Sequence, residues 1–114
     1  MTILTFPNDY TTRYQYDTGN PLTIQFVRSD LSPYDLTNVV KANMTKRILN
    51  MISNNATDGQ GSWSTVNDLQ GIAQYNWHAN DVANIGLIKF QTTIPFPAGA
   101  ITFKYIEVTF LSRI

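Results

Sequence analysis

The sequence predicts an all-β fold, an antiparallel β-sandwich of about seven to eight strands, on three observations. Apolar residues recur at every second position through most of the chain. Turn signals built on Gly, Pro, Asn and Asp break these runs into short segments. No stretch keeps the apolar spacing of an amphipathic helix over a useful length. A small barrel is the alternative that fits the same pattern.

Residues 1–19 read as an extended N-terminal arm or first strand, and residues 20–114 as the sandwich domain. In the arm, Tyr14 and Tyr16 alternate with Arg13, Gln15 and Asp17, before Gly19-Asn20-Pro21 turns the chain. Leu22, Ile24 and Phe26 alternate with Thr23 and Gln25, as in a half-buried strand. Ser32-Pro33 closes it, because Pro has no N–H for a ladder and biases the residue before it towards extended geometry. Val40, Ala42 and Met44 alternate with Lys41, Asn43 and Thr45 and predict another strand. The helix-like spacing of Ile48, Leu49, Met51 and Ile52 stops at once in Asn and Ser, which favours a continued or bent strand. Ser53 to Ser62, with Asn54-Asn55 and Asp58-Gly59-Gln60-Gly61, predicts a hairpin loop. Gly71 opens a strand on which Ala73, Tyr75 and Trp77 share one face, and Asn80 to Gly86 forms a short turn. Ile88, Phe90, Thr92 and Ile94 make the next inward row, opposed by Lys89 and Gln91. Pro95-Phe96-Pro97-Ala98-Gly99 is a turn or edge segment, since two prolines this close do not fit a central strand. Ile106, Val108 and Phe110 alternate with Glu107 and Thr109 in the last strand.

With 114 residues the chain fits one domain, typically about 100–150 residues. Charged residues are 14% of the sequence against about 25% in soluble domains. A surface so poor in charge is cheaply desolvated and suits permanent protein–protein contact. Eight basic residues balance eight acidic ones, and only Lys46-Arg47 stand together, so no nucleic-acid partner is expected. The pair reads as a solvated turn or strand end. The absence of Cys excludes a disulfide framework and a thiolate metal site. No run approaches the roughly 20 apolar residues of a membrane helix, and the N-terminus lacks the basic and apolar regions of a secretory signal. No membrane partner is expected, and the Asn43 and Asn55 glycosylation matches read as chance.

Catalytic chemistry finds few candidates. His78 is the single histidine, and no nucleophile elbow accompanies it. One His cannot make a zinc site, and the segment Asn54 to Gly59 lacks the carboxylates of a calcium loop. Gly59-x-Gly61 has no following Lys-Ser/Thr to make a phosphate loop. The expectation is therefore a protein that is not an enzyme, with no catalytic residues, cofactor, metal or small-molecule substrate. Exposed aromatics instead suggest a partner interface at Phe6, Tyr10, Tyr14, Trp63 and Phe96. Trp63 beside its loop also leaves open a carbohydrate-binding module.

Three segments carry a resemblance. They are Leu22-Thr23-Ile24-Gln25-Phe26 with Pro33-Tyr34-Asp35-Leu36-Thr37 and the run through Val40, Ala42 and Met44; Gly71 to Trp77 with Asp81 and Gly86 beyond; and Phe96-Pro97 followed by Ile106 to Phe110. Together they resemble the N-terminal domain of phage baseplate upper proteins over about residues 20–112. Asn38 stands where that family commonly has Gly, Leu87-Ile88 where it has an aromatic, and the loop at 53–62 is long. Family members often continue into receptor-binding modules, whereas this sequence stops at Ile114, which favours an adaptor or decorating subunit. The resemblance implies an immunoglobulin-like β-sandwich built in many copies into a virion assembled in the host cytoplasm, with other phage structural proteins as partners. It brings no functional residues. The expected function is a tail, baseplate or neck structural protein, with a capsid-decorating protein as the alternative.

Overall fold

Alternation commits one side of each strand to burial, and two sheets packed face to face bury both committed sides. The computed structural model describes residues 2–5, 12–19, 21–83 and 85–112. Among these the chain forms eleven strands, two short 3-10 turns and no α-helix. One sheet has the order β1 (Thr2–Thr5), β3 (Leu22–Arg28), β7 (Ile72–Asn76), β6 (Ser62–Asn67), all antiparallel. The other has the order β2 (Thr12–Tyr14), β11 (Ile106–Leu111), β8 (Gly86–Gln91), β4 (Arg47–Asn50), β5 (Asn55–Asp58), with β2 parallel to β11 and the rest antiparallel. These are the A-B-E-D and G-F-C arrangements of an immunoglobulin-like sandwich, with β5 as an added C′ strand. Between β8 and β11 the chain makes a separate ribbon of β9 (Thr93–Phe96) and β10 (Gly99–Thr102).

The inward rows are those that alternation predicts. Leu22, Ile24, Phe26, Ala73, Tyr75, Trp77, Ile88, Phe90, Thr92, Ile94, Ile106, Val108 and Phe110 are all buried. Tyr75 lies opposite Leu22 and Ala73 opposite Ile24, while Phe90 is registered with both Ile48 and Ile106. Aromatic rings tie the two sheets together. Tyr75 packs on Phe90 at 4.9 Å and on Trp77 at 5.0 Å, and Trp77 meets Phe110 edge-on at 5.4 Å. Such pairs contribute about 0.5–1.5 kcal/mol each beyond the area they bury.

On β2 Tyr14 is exposed, as is Tyr16 beyond it, while Arg13 faces the core, 4% exposed, because β2 pairs Arg13 with the inward Phe110. One guanidinium nitrogen of Arg13 donates to the Pro21 carbonyl at 3.2 Å. Three local expectations are corrected. The run Val40–Thr45 is not a strand: Lys41–Asn43 form a 3-10 turn, Val40 is exposed, and only Met44 is buried. The Lys41 ammonium holds this turn down, donating to the Leu36 and Val39 carbonyls and pairing with Asp68 at 3.0 Å. The segment 53–62 is not one loop. Its turn ends at Asn54, where φ is 57°, with the Asn50 side chain accepting from the N–H groups of Ile52 and Ser53. Asn55–Asp58 then return as β5, an edge strand with every side chain exposed and hence without alternation to read. Trp63 is core, as described below. The strand count runs above seven to eight because the N-terminal segment supplies two, one on each sheet, and Thr93–Phe96 pairs with Gly99–Thr102 as a ribbon.

Candidate functional site

The strand directions put two sets of connections at opposite ends of the sandwich. One end carries the link from β3 to β4 and the β9–β10 ribbon; the other carries the link from β7 to β8. In immunoglobulin-like variable domains the B–C and F–G connections of one end form the binding surface. The corresponding end here holds a groove of about 490 Å3, within the roughly 300–1,000 Å3 of ligand sites.

That groove begins where β3 ends. Leu31, at φ 69°, turns the chain, and its N–H donates to the Arg28 carbonyl at 2.9 Å. The Asp30 carboxylate accepts from the Ser32 hydroxyl at 2.6 Å and from its N–H at 3.0 Å, and these bonds lower its pKa below the ordinary 3.8. Asp35 is lowered in the same way by the hydroxyl and N–H of Thr37. Between these two turns the Tyr34 N–H donates to the Phe26 carbonyl at 3.0 Å, which fixes Tyr34 over the end of the core. Gly71 permits this close approach: it sits at φ 68°, and a Cβ there would lie 2.6 Å from the Tyr34 carbonyl oxygen.

Tyr34 is the centre of the groove wall. The Arg28 guanidinium lies 4.2 Å over its ring and donates to the Pro33 carbonyl at 2.9 Å. Phe96 stacks on it, tilted, at 5.3 Å, and Phe103 meets it edge-on at 5.4 Å. Phe96, Ile101 and the small residues Ala98, Gly99 and Ala100 form the opposing wall, and Asp35 supplies the one carboxylate. The arrangement offers an apolar floor, a cation held on an aromatic face, and an anion at the rim. It can grip a protein surface. Among the described residues no three His, Asp or Glu side chains gather as metal ligands would.

Of the described residues expected at an interface, only Phe96 lies in this groove. Tyr14 is 50% exposed, but it stands beside Leu111 on the outer face of the five-stranded sheet, towards the other end. Trp63 is 7% exposed and belongs to the core, packed against Phe26, Tyr75 and Phe90 with its indole N–H donating to the Thr45 carbonyl. It offers no face for sugar stacking. Phe6 and Tyr10 lie outside the described residues. Arg28, Tyr34 and Ile101 were missed; the available signal was an aromatic one residue past Pro33, in a segment read for its strand end and its family resemblance.

The opposite end has a different chemistry. The Asp81 carboxylate accepts from the Tyr75 hydroxyl at 2.6 Å and from the N–H groups of Gln60 (2.9 Å), His78 (3.1 Å) and Gly61 (3.2 Å). Burial first, and the bond to Asp81 second, push the Tyr75 pKa well above its ordinary value of 10.0. His78 is exposed and its Nδ1 accepts from the Asn80 N–H at 3.1 Å. The bonds from Gln60 and Gly61 tie their turn to the loop after β7, and those of His78 and Asn80 brace that loop internally. A scan against protein-family models gives no match, and a search of curated proteins finds no significantly similar sequence.

Proposed function

We propose that this chain is a non-catalytic structural module of a bacteriophage particle, an adaptor of the tail, baseplate or neck that binds neighbouring virion proteins. The observation that carries the binding role is the open groove of Arg28, Tyr34, Phe96 and Ile101 at the ribbon end, where this type of sandwich presents its binding loops. The resemblance to baseplate upper proteins supplies the phage context. The low charge of the chain fits a surface that is covered permanently.

Particle assembly tests the proposal. Tyr34→Ala combined with Phe96→Ala removes both half-exposed rings from the groove while leaving the fully buried aromatics in place. The expected result is a folded protein that no longer co-purifies with phage particles. Retention of the variant at wild-type copy number sinks the groove as the docking site, and absence of the wild-type chain from particles sinks the virion assignment.

A further inference from the structure

The β9–β10 ribbon has a pairing pattern dictated by its own residues. Antiparallel pairs alternate between those that exchange hydrogen bonds and those that do not. Pro95 has no N–H, so its pair with Ala100 is of the second kind. The Phe103 N–H donates to the Thr92 carbonyl at 3.1 Å, which places the bonded pairs at Phe103–Thr92, Ile101–Ile94 and Gly99–Phe96. Thr93 fits the same alternation: its N–H and C=O turn away from β10 and bond with Thr45 at 2.7 and 3.1 Å. Ala100 and Thr102 therefore direct both backbone groups away from β9, and both residues are exposed. No described residue pairs with that edge.

Other strand edges carry devices that discourage pairing. β6 has a register shift between Thr65 and Asn67, β9 has Pro95, and β5 ends in Asp58, engaged by Arg47 at 3.1 Å. β10 has no charge, no proline and no bulge. Residues 92–103 contain no ionisable side chain, so two ribbons approach without like-charge repulsion. The groove rim adds one guanidinium, Arg28, and one carboxylate, Asp35, so a copy related by a two-fold axis brings the opposite charge for each. Among the described residues, none but its chain neighbours lies within 4 Å of where a Gly99 Cβ would be, which leaves the approach open.

We infer that β10 is the pairing edge for a second copy of this chain. Two β10 strands meet antiparallel about a two-fold axis through Ile101, with Ala100 of each copy exchanging both hydrogen bonds with Thr102 of the other. The two ribbons become one four-stranded sheet, and the two Ile101 side chains adjoin on its groove side. This is strand addition in isologous form. It rests on the reading of the chain as an assembling structural module and names one partner, the chain itself.

Sedimentation of the intact chain from dilute to millimolar concentration, combined with residue-resolved amide exchange, tests it. The expected result is a reversible dimer, with the Ala100 and Thr102 amides protected only as it forms and the Ile101 amide protected throughout. Ala100→Pro removes an outward N–H without touching a ribbon bond, so it should remain folded and become monomeric. A wild-type chain that stays monomeric overturns the inference, as does a dimer in which Ala100 and Thr102 exchange freely or one that Ala100→Pro leaves intact. Protection of the edge in assembled particles alone assigns it to another virion protein and overturns the second-copy assignment. In each of those cases, incorporation of the chain into particles is a separate readout that leaves the virion assignment standing.

Discussion

The two ends of the sandwich dispose of their polar groups in opposite ways. At the Asp81 end one carboxylate collects four donors from three segments, Gln60-Gly61, Tyr75 and His78, and closes those loops on one another. At the ribbon end the turns of Asp30 and Asp35 are locked locally, but Ala100 and Thr102 turn their backbone groups outward beside an apolar groove. A buried polar group without a partner is costly, so a loop that turns inward must find its bonds within the chain. A group left at an exposed edge is held by water or by a partner. The same fold thus separates an end that holds the molecule together from an end that is free to bind.

Substitutions can break this contrast or sharpen it. The largest effect is expected from Trp63→Ala, because Trp63 joins Phe26, Tyr75 and Phe90 across the two sheets. Loss of about 3–5 kcal/mol in denaturant unfolding is the expected outcome; a near-neutral change would return Trp63 to the surface. Asp81→Ala comes next, at about 2–3 kcal/mol, since it strands the Tyr75 hydroxyl and removes the acceptor of the Gln60 and His78 N–H groups, leaving Gly61 N–H only the Tyr75 oxygen. Amide exchange should then accelerate at Gly61 and His78 and stay unchanged at Ile101. An equal acceleration at both ends would erase the distinction drawn here.

Smaller effects follow from titration. The Tyr75 pKa is raised on folding, so its contribution to stability is complete below 10.0 and declines as pH rises beyond that value. Tyr75→Phe should cost about 1 kcal/mol near neutrality and should flatten the loss of stability above pH 10.0. Parallel alkaline curves for the two proteins would contradict this. Asp30 and Asp35 have the opposite sign. Their pKa values are depressed by Ser32 and Thr37, so the two turns are fully locked above the ordinary 3.8 and loosen as pH falls through the lowered values. The Ser32 and Thr37 amide resonances should move in that acid range while the core stays folded. Movement centred well above 3.8 would argue against those bonds.

How much of this was legible in the sequence depends on which side of each strand is wet. Ile106-Val108-Phe110 could be read because their strand is buried on one face only, and Leu22-Ile24-Phe26 because polar Thr23 and Gln25 separate them, although Thr23 and Val27 on the other face are buried too. β5 could not, since an edge strand with both faces exposed has no apolar alternation. The Val40–Met44 run alternates by coincidence, for Lys41 bonds force a tight turn there. Trp63 was misplaced because a neighbouring Gly-rich loop suggests exposure, whereas its register opposite Tyr75 decides burial. The groove was least legible. Arg28, Tyr34, Phe96 and Ile101 come from distant parts of the chain and meet only because the ribbon folds back over the end of β3. The open edge of β10 was hidden for another reason: Pro95, read as a mark against a central strand, also fixes which backbone groups of Ala100 point outward.

The central claim is that the ribbon end, and not the Asp81 end, is the contact surface. A particle reconstruction at side-chain resolution tests it most directly. The account predicts many copies of the chain, each with Tyr34, Phe96 and the β10 edge covered by a neighbouring subunit and Asp81 enclosed only by its own loops. Copies seated through the Asp81 end or the outer face at Tyr14 and Leu111, with the ribbon exposed to solvent, would contradict it.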